Sequence, residues 1–272
     1  MSIFYQANSR AGKYLSRPRG IIAFVCALAL ILIAVPSVPG YAQNSDDGLT
    51  PRQADDVIKL LRKYMLDHPE DIVSALESYA TREKLAQEDE VRRTLADARP
   101  EIENDEGSFV GGNPEGDISV VEFFDYRCSY CKRVHDTVQK LVKEDGKLRL
   151  VYKEFPILGP DSAIASRAAL ASRQQDKYLP YHNALMSARG SLNRDRILEI
   201  AGDVGLDVEQ LEKDMKDPEI EKIISRNHAL AQRLNVSGTP AFVIGDEIIA
   251  GAAELGQFKK LVSLARTGCA TC

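Results

Sequence analysis

The chain has 272 residues and carries 40 acidic against 35 basic residues, for a net charge of −5. Four of the basic residues lie in the first 19 positions, which contain no acid, so the rest of the chain has a net charge of −9. Such an excess of acid argues against nucleic acid or anionic lipid as a partner.

The first 42 residues have the three parts of an export signal. Their basic start is followed by an apolar run of 15 residues, Ile21 to Val35, and then by small residues at Gly40 and Ala42. We predict a signal peptide over residues 1–42, cleaved before Gln43; an uncleaved membrane anchor is the alternative. Export would remove Cys26 and place the other cysteines where disulfides persist.

Residues 43–104 are predicted to form a helical arm. Thr50, Pro51 and Gln53 together give a helix start, because threonine caps, proline suits the first turn and glutamine reaches back to the cap. Apolar residues then recur at helical spacing: Val57, Ile58, Leu61, Met65, Ile72, Val73, Leu76 and Tyr79. Short amphipathic helices cannot bury this face alone, so the arm must pack on the main domain or on copies of itself.

Residues 105–266 alternate strands and helices. The apolar periods predict strand 118–124, helix 129–144, strand 147–153, a helical insertion over about 155–234, strands 241–244 and 248–250, and helix 254–266. The strand–helix–strand order gives parallel strands and hence an α/β fold. Gly245 and Asp246 predict a two-residue hairpin turn. Residues 99–117, rich in Pro, Gly and acid, predict the domain boundary, and 267–272 form a tail.

Two cysteines open the first helix of this domain, in the stretch VVEFFDYRCSYCKRVH that runs from Val120 to His135. A helix N-terminus stabilises a thiolate, so we expect Cys128 to be acidic and nucleophilic, with Cys131 one turn deeper to close a disulfide. Zinc would need two further ligands, and haem attachment fails because Lys132 follows the second cysteine. A plain structural disulfide stays open as an alternative.

Three stretches, EFFDYRCSYC, VYKEFPILG and VSGTPAFVIG, resemble the landmarks of DsbA-like thioredoxin-fold oxidoreductases. The arm, LTPRQADDVIKLLRKYMLDHPEDIVSALE, resembles that of the ScsC-type (suppressor of copper sensitivity) branch. The resemblance implies an α/β thioredoxin fold with a helical insertion and a periplasmic thiol:disulfide oxidoreductase without a cofactor. It also implies exported cysteine-containing proteins as substrates and a membrane thiol-redox partner. Packing of the arm favours a homo-oligomer, a trimer.

The resemblance also assigns roles to single residues. Cys128 would attack through a mixed disulfide and Cys131 would resolve it. Pro240 would be cis, leaving the backbone of Thr239 to pair with an extended substrate. Ser129 and Tyr130 replace the Pro-His pair of DsbA itself, which favours a less acidic nucleophile and a less oxidising couple. Together with Thr239, this dipeptide favours an isomerase or reductase, with oxidase activity left open.

Glu122 interrupts the apolar strand before the cysteines, where an unpaired buried carboxylate is costly. The family places an acid here beneath the buried cysteine, to pass a proton as the disulfide forms or breaks, and burial would raise its pKa. The alternative is an ion pair with Lys153 on the neighbouring strand.

The tail ends in a second C-x-x-C, Cys269 to Cys272, which the landmarks do not include. It is interpreted as a local disulfide or idle thiol pair, and alternatively as a copper(I) or electron-relay pair. Copper(I) sequestration by Cys128 and Cys131 is likewise the alternative function. His135 is expected at the surface or near the site rather than as a metal ligand.

Overall fold

The protein is described from a computed structural model, in which residues 48–268 are placed. The chain divides into two compact units, the first ending at Tyr64 and the second beginning at Met65. The predicted signal peptide, with Cys26, and the cysteines of the tail lie outside the described residues. None of the helices within residues 48–268 combines the length and hydropathy that a membrane span requires.

The described residues form an α/β structure. The helices are α1 (Pro51–Asp67), α2 (Pro69–Glu103), α3 (Ser129–Asp145), α4 (Pro160–Ala171), α5 (Tyr178–Ser187), α6 (Arg194–Asp203), α7 (Val208–Asp214), α8 (Pro218–Arg233) and α9 (Leu255–Thr267), with a short 3-10 helix at Ser172–Gln175. The strands are β1 (Phe109–Gly112), β2 (Ile118–Phe124), β3 (Leu148–Glu154), β4 (Ala241–Ile244) and β5 (Glu247–Ala250).

Helix α1 begins with the predicted capping box. The backbone N–H of Thr50 donates to Gln53 Oε1 at 3.0 Å, and that of Gln53 donates to Thr50 Oγ1 at 3.4 Å. The helix buries none of its side chains, so the apolar stripe that includes Val57, Ile58 and Leu61 is exposed. Its amphipathic pattern is therefore confirmed, and the apolar face is left uncovered.

Helix α2 continues through Pro100 to Glu103, so it enters the stretch 99–117 in which the domain boundary is predicted and ends just before residue 105. Its last turns bury Leu95, Ala98 and Ile102 in one hydrophobic cluster with the sheet. Burial of these side chains outweighs the hydrogen bond that a proline inside a helix removes.

The same segment also contains β1, an edge strand that the sequence analysis missed. It pairs antiparallel with β3, where Gly112 lies opposite Arg149. Gly112 has a φ of +69°, and a Cβ there would lie 2.6 Å from the Leu148 carbonyl oxygen, so glycine is required. Two glycines in four residues hide the strand from propensity arguments.

The five strands form one sheet in the order β1-β3-β2-β4-β5. Strands β2 and β3 are parallel and are joined through α3, whereas β4 and β5 run antiparallel to their neighbours. The predicted βαβ unit is confirmed, as is the hairpin that turns at Gly245 and Asp246. Helices α4 to α8 lie between β3 and β4 in the chain, where the helical insertion was predicted.

Each face of the sheet has its own core. One cluster joins Val120 and Phe124 of β2 to α3, α9 and the insertion. The other joins Val121 and Phe123 to the end of α2 and to α8. Because successive strand residues point to opposite faces, the two cores separate residues that are adjacent in sequence.

Candidate active site

Cys128 lies at the end of the loop that leads from β2 into α3. It is the N-cap residue of α3, and its sulfur accepts a hydrogen bond from the backbone N–H of Cys131 at 3.4 Å. Its own N–H donates to the carbonyl of Asp125 at 3.0 Å, which closes the turn before the helix. The predicted position of the first cysteine at a helix start is confirmed.

The Cys128 thiol is strongly acidic. Its pKa is lowered to about 5, and the largest cause is a hydrogen bond from the Cys131 side chain. Hydrogen bonds from the Thr239 side chain and from backbone N–H groups of the first helical turn lower the pKa further, whereas burial raises it. When protonated, the Cys128 thiol donates to the Thr239 carbonyl at 3.2 Å. Cys128 is therefore a thiolate at neutral pH, although neither Ser129 nor Tyr130 supplies a positive charge.

Cys131 has the opposite character. It is fully buried, and burial raises the pKa of its thiol far above the ordinary value. The hydrogen bond with Cys128 and the charge of Glu122 raise it further, whereas a hydrogen bond from the backbone of Asp125 lowers it. Cys128 is thus the reactive thiolate, and Cys131 is its protonated partner.

The Thr239–Pro240 peptide bond is cis, as predicted. It brings Thr239 against Cys128 and leaves Pro240 buried at the start of β4. A groove of about 880 Å³ runs beside Thr239. It is lined by Tyr130, Arg133, Val134, Thr137, Thr239 and residues 251–255.

Glu122 is buried on β2, on the face of the sheet that carries Phe124, Tyr152 and the cysteine helix. Burial, followed by the charge of Cys128, raises the pKa of this carboxyl to about 8. The predicted direction of the shift is confirmed. A carboxyl with this pKa exchanges a proton readily near neutral pH.

The predicted alternative, an ion pair between Glu122 and Lys153, is wrong. The parallel register aligns Glu122 with Tyr152 and Phe123 with Lys153, so the two charged side chains point to opposite faces. Lys153 Nζ instead donates to the Glu101 carbonyl at 2.7 Å and lies 3.5 Å from Asp105 Oδ2. Its role in the structure is to hold the end of α2.

The remaining sequence candidates lie around the pair. Ser129 is exposed, and Tyr130 is 55% exposed with the Arg133 guanidinium 4.7 Å from its ring centroid. His135, expected at the surface or near the site, is buried with its ring 5.4 Å from that of His182. Within residues 48–268, no group of three or more His, Cys, Asp or Glu side chains is arranged to hold a metal ion.

Comparison with known proteins gives the family. The model of the DSBA-like thioredoxin domain matches residues 119–263, which is more than half of the chain.

This chain belongs to the DsbA-like thioredoxin family.

Individual relatives agree with this result. A probable disulfide bond formation protein D from Bacillus cereus is 29% identical over 150 residues, 50% of this chain and 69% of that protein. The crystal structure of a thioredoxin-like oxidoreductase from Silicibacter pomeroyi is 50% identical, with a TM-score of 0.61 over 62% of this chain and 97% of the other. A linker-deletion variant of ScsC from Proteus mirabilis is 26% identical, with a TM-score of 0.61 over 82% of this chain and 100% of its own. The chain is therefore a thiol:disulfide oxidoreductase with ScsC among its structural neighbours.

Sequence reasoning missed one buried polar cluster of this DsbA-like domain. Glu154, at the end of β3, is buried, and its Oε1 accepts hydrogen bonds from Tyr126 at 2.9 Å and Tyr178 at 2.8 Å. The Tyr126 hydroxyl also lies 3.0 Å from Nδ1 of His182. The available signal was that Glu154 continues the inward alternation of Leu150 and Tyr152 on β3.

Proposed function

We propose that the chain is a periplasmic thiol:disulfide isomerase or reductase that acts on exported cysteine-containing proteins through Cys128 and Cys131. The observation that carries this proposal is the contrast between an acidic Cys128 and a buried, protonated Cys131 beside a cis proline. The signal peptide proposed for residues 1–42 and the likeness to ScsC support export.

In the proposed reaction, the Cys128 thiolate attacks one sulfur of a substrate disulfide. A bond forms between the two sulfurs, and the other substrate sulfur leaves as a thiolate that takes a proton from water. Cys131 then loses its proton to the Glu122 carboxylate and attacks Cys128 Sγ. The protein disulfide forms and the second substrate thiol is released, so the substrate is reduced and the protein oxidised. A membrane thiol-redox partner would return the two electrons.

Isomerisation shares the first step. Another thiolate of the substrate then attacks the mixed disulfide before Cys131 does, and the protein is released in its reduced form. Thr239 and the Ser129-Tyr130 dipeptide favour this direction over oxidation. The groove offers an extended segment of the substrate a place beside Thr239, whose carbonyl contacts Cys128.

The arm supports a homo-oligomer as part of the same proposal. Apolar side chains of α1 and of the first half of α2 are exposed, among them Leu61, Ile72, Leu76 and Tyr79. Each large aliphatic side chain buried between copies would contribute roughly 1.5–3 kcal/mol. Three copies with closed symmetry would hold several Cys128 thiolates near one bound substrate and so favour reshuffling.

The test uses residues 43–272 with Cys269 and Cys272 replaced by alanine, so that only one C-x-x-C is present. Cys128→Ala should abolish reduction of a model disulfide and refolding of scrambled ribonuclease. Cys131→Ala should accumulate mixed disulfides with substrate, visible on non-reducing gels. Substantial activity of Cys128→Ala would refute the assignment of the nucleophile.

Two further outcomes decide the rest of the proposal. Light scattering of residues 43–272 should give a trimer. Residues 92–272, which keep the buried end of α2 but lose the exposed arm, serve as the monomeric comparison. A monomer for the longer chain would refute the arm's role. Tight copper(I) binding by the Cys128–Cys131 pair without catalytic turnover would favour copper sequestration instead.

A further inference from the structure

The surface beside Cys128 carries two exposed apolar side chains. Among the described residues that follow the arm, Tyr130 and Leu158 are the two large apolar side chains that are exposed, at 55% and 44%. Tyr130 lies in the first turn of α3, two positions after Cys128. Exposed apolar side chains that are grouped on one surface mark a contact site for another molecule, whereas single ones scattered over a surface do not.

Leu158 belongs to this surface because hydrogen bonds hold its backbone against the cysteine turn. Its N–H donates to Asp125 Oδ2 at 3.0 Å, and the N–H of Cys128 donates to the Asp125 carbonyl, also at 3.0 Å. The Leu158 carbonyl accepts from Arg127 Nη1 at 2.7 Å. Leu158 is therefore bonded to two of the three residues that immediately precede Cys128.

Each of these apolar side chains has an arginine beside it. Arg127 is bonded to Leu158, and the Arg133 guanidinium lies 4.7 Å from the ring centroid of Tyr130. Both arginines are exposed, and within residues 48–268 neither forms an ion pair with a carboxylate. The chain after residue 19 has a net charge of −9, so two unpaired positive charges close to Cys128 are a local exception.

Few carboxylates compete with a bound molecule for these two arginines. Arg133 lines the groove beside Thr239, and Glu254 is the one carboxylate among the residues that line it. Asp125, which contacts the cysteine turn, is fully buried, and its carboxylate oxygens accept hydrogen bonds from one hydroxyl and three backbone N–H groups. Its hydrogen-bonding capacity is thus used within the protein.

We propose that Arg127 and Arg133 select substrate segments that carry carboxylates close to the cysteine that is attacked. Arginine presents a planar fork of N–H donors that matches a carboxylate, and an exposed arginine without an ion pair keeps these donors available. Tyr130 and Leu158 contact the apolar atoms of the same segment, as aromatic and aliphatic side chains do at the centre of an interface. The inference rests on the proposed function, since it names the class of substrate that Cys128 attacks.

The test uses three short blocked peptides that have Glu, Gln or Lys at both ends and a central cysteine in a mixed disulfide with thionitrobenzoate. The Cys128 thiolate attacks the peptide sulfur and bonds to it, and thionitrobenzoate leaves with the electron pair of the broken bond. Its colour gives the rate constant of the attack. Each rate constant is divided by that for mercaptoethanol, a neutral thiol, which removes differences in reactivity among the peptides themselves. The protein is residues 43–272 with Cys269 and Cys272 replaced by alanine.

The Glu peptide should react about tenfold faster than the Gln peptide, because pairing of a carboxylate with each exposed arginine contributes about threefold. The Lys peptide should be the slowest. Arg127→Gln and Arg133→Gln should each lower the ratio of the Glu rate to the Gln rate by about threefold, and the double variant should bring this ratio close to one. High salt should lower the ratio in the parent protein as well.

Two further variants serve as controls. Lys143→Gln removes a positive charge from the last turn of α3, about 22 Å along the helix from Cys128 and well beyond the distance of about 8 Å at which physiological salt screens charges. It should leave the ratio at its original value. Glu254→Gln removes the carboxylate of the groove, so it should leave the ratio unchanged or raise it.

Equal rates for the Glu and Gln peptides in the parent protein would overturn the inference. A ratio that the double variant leaves unchanged, or that Lys143→Gln or Glu254→Gln lowers as much as the arginine variants do, would overturn it as well. Arg133→Gln decides alone if variants of Arg127 fail to fold, since the Arg133 side chain is exposed on α3. Failure of the parent protein to attack any of the three peptides would instead overturn the proposed function itself.

Discussion

Two buried ionisable residues, Lys153 and Glu122, lie on opposite faces of one sheet and have different surroundings. Lys153, on β3, is fully buried beside Asp105 and donates to the carbonyl of Glu101. Glu122, on β2, is buried beneath the cysteine helix, and the pKa of its carboxyl rises to about 8.

The difference indicates a structural role for Lys153 and a role in proton transfer for Glu122. Burial lowers the pKa of Lys153, but Asp105 acts against that shift and keeps the ammonium form favourable. The neighbouring charge at Glu122 is that of Cys128, which has the same sign and adds to the effect of burial. A buried group with a partner of opposite charge holds its proton state, whereas one without such a partner can change it.

The largest change in the free energy of unfolding should come from breaking the pair between Lys153 and Asp105. Asp105→Ala leaves the Lys153 ammonium buried without its counter-charge and should lower the free energy of unfolding by about 3–5 kcal/mol. Chemical denaturation measures this loss. The folded variant should still reduce Ellman's reagent, a small aromatic disulfide, at the rate of the original protein. A loss below about 1 kcal/mol would show that Lys153 does not need Asp105.

The raised pKa of Glu122 should make the free energy of unfolding depend on pH. The folded pKa of Glu122 lies above its ordinary value of 4.5, so its stabilising contribution is complete below about pH 4.5 and is lost as pH rises towards 8. Across this window the reduced protein should lose a few kcal/mol more than Glu122→Gln does. Glu154, whose pKa is raised in the same direction, leaves part of the slope in the variant. Parallel curves for the two proteins would contradict the raised pKa of Glu122.

The same substitution should slow catalysis more modestly. Glu122→Gln keeps the shape of the side chain but cannot accept the Cys131 proton, so exchange should slow several-fold while thermal stability is unchanged or higher. Steady-state reduction of a model disulfide from pH 5 to 8 measures this. Equal rates across the range would leave Glu122 with a structural role only.

The smallest effect should come from an exposed ion pair on the Lys153 side of the sheet. Arg233 Nη1 lies 2.7 Å from Glu101 Oε1, but both side chains are about half exposed. Arg233→Ala should therefore change the free energy of unfolding by at most about 1 kcal/mol, and less in high salt. A cost as large as that of Asp105→Ala would show that burial does not distinguish the two pairs.

The sequence allowed prediction of the parts that local rules determine. The cysteine helix, β2 to β4 and the five helices of the insertion follow from apolar periodicity, and the hairpin follows from Gly245 and Asp246. Tertiary contacts decided what was missed. Packing of Leu95 and Ile102 carries α2 past Pro100, and β1 forms only because β3 is there to pair with it.

The candidate site shows the same division. The two cysteines, Glu122 and the cis form of Pro240 could be expected from sequence motifs and resemblance. The partner of Lys153 could not, because a shift of one residue in register exchanges the faces of a strand. Tyr126 and His182 are 56 positions apart in the chain, and no local pattern relates their side chains.

Helix α2 has a mechanical consequence. Its 35 residues extend about 52 Å, and only its last turns are packed on the sheet, with the Glu103 and Glu101 carbonyls held by Arg149 and Lys153. The helix is thus fixed beside β3 at its C-terminal end, and a rotation there would move its N-terminal end through a long arc. A tilt of about 10° at Leu95 would displace Pro69, which lies about 39 Å away along the helix, by about 7 Å. A small adjustment of a side chain beside β3 would therefore become a much larger movement at the far end of α2.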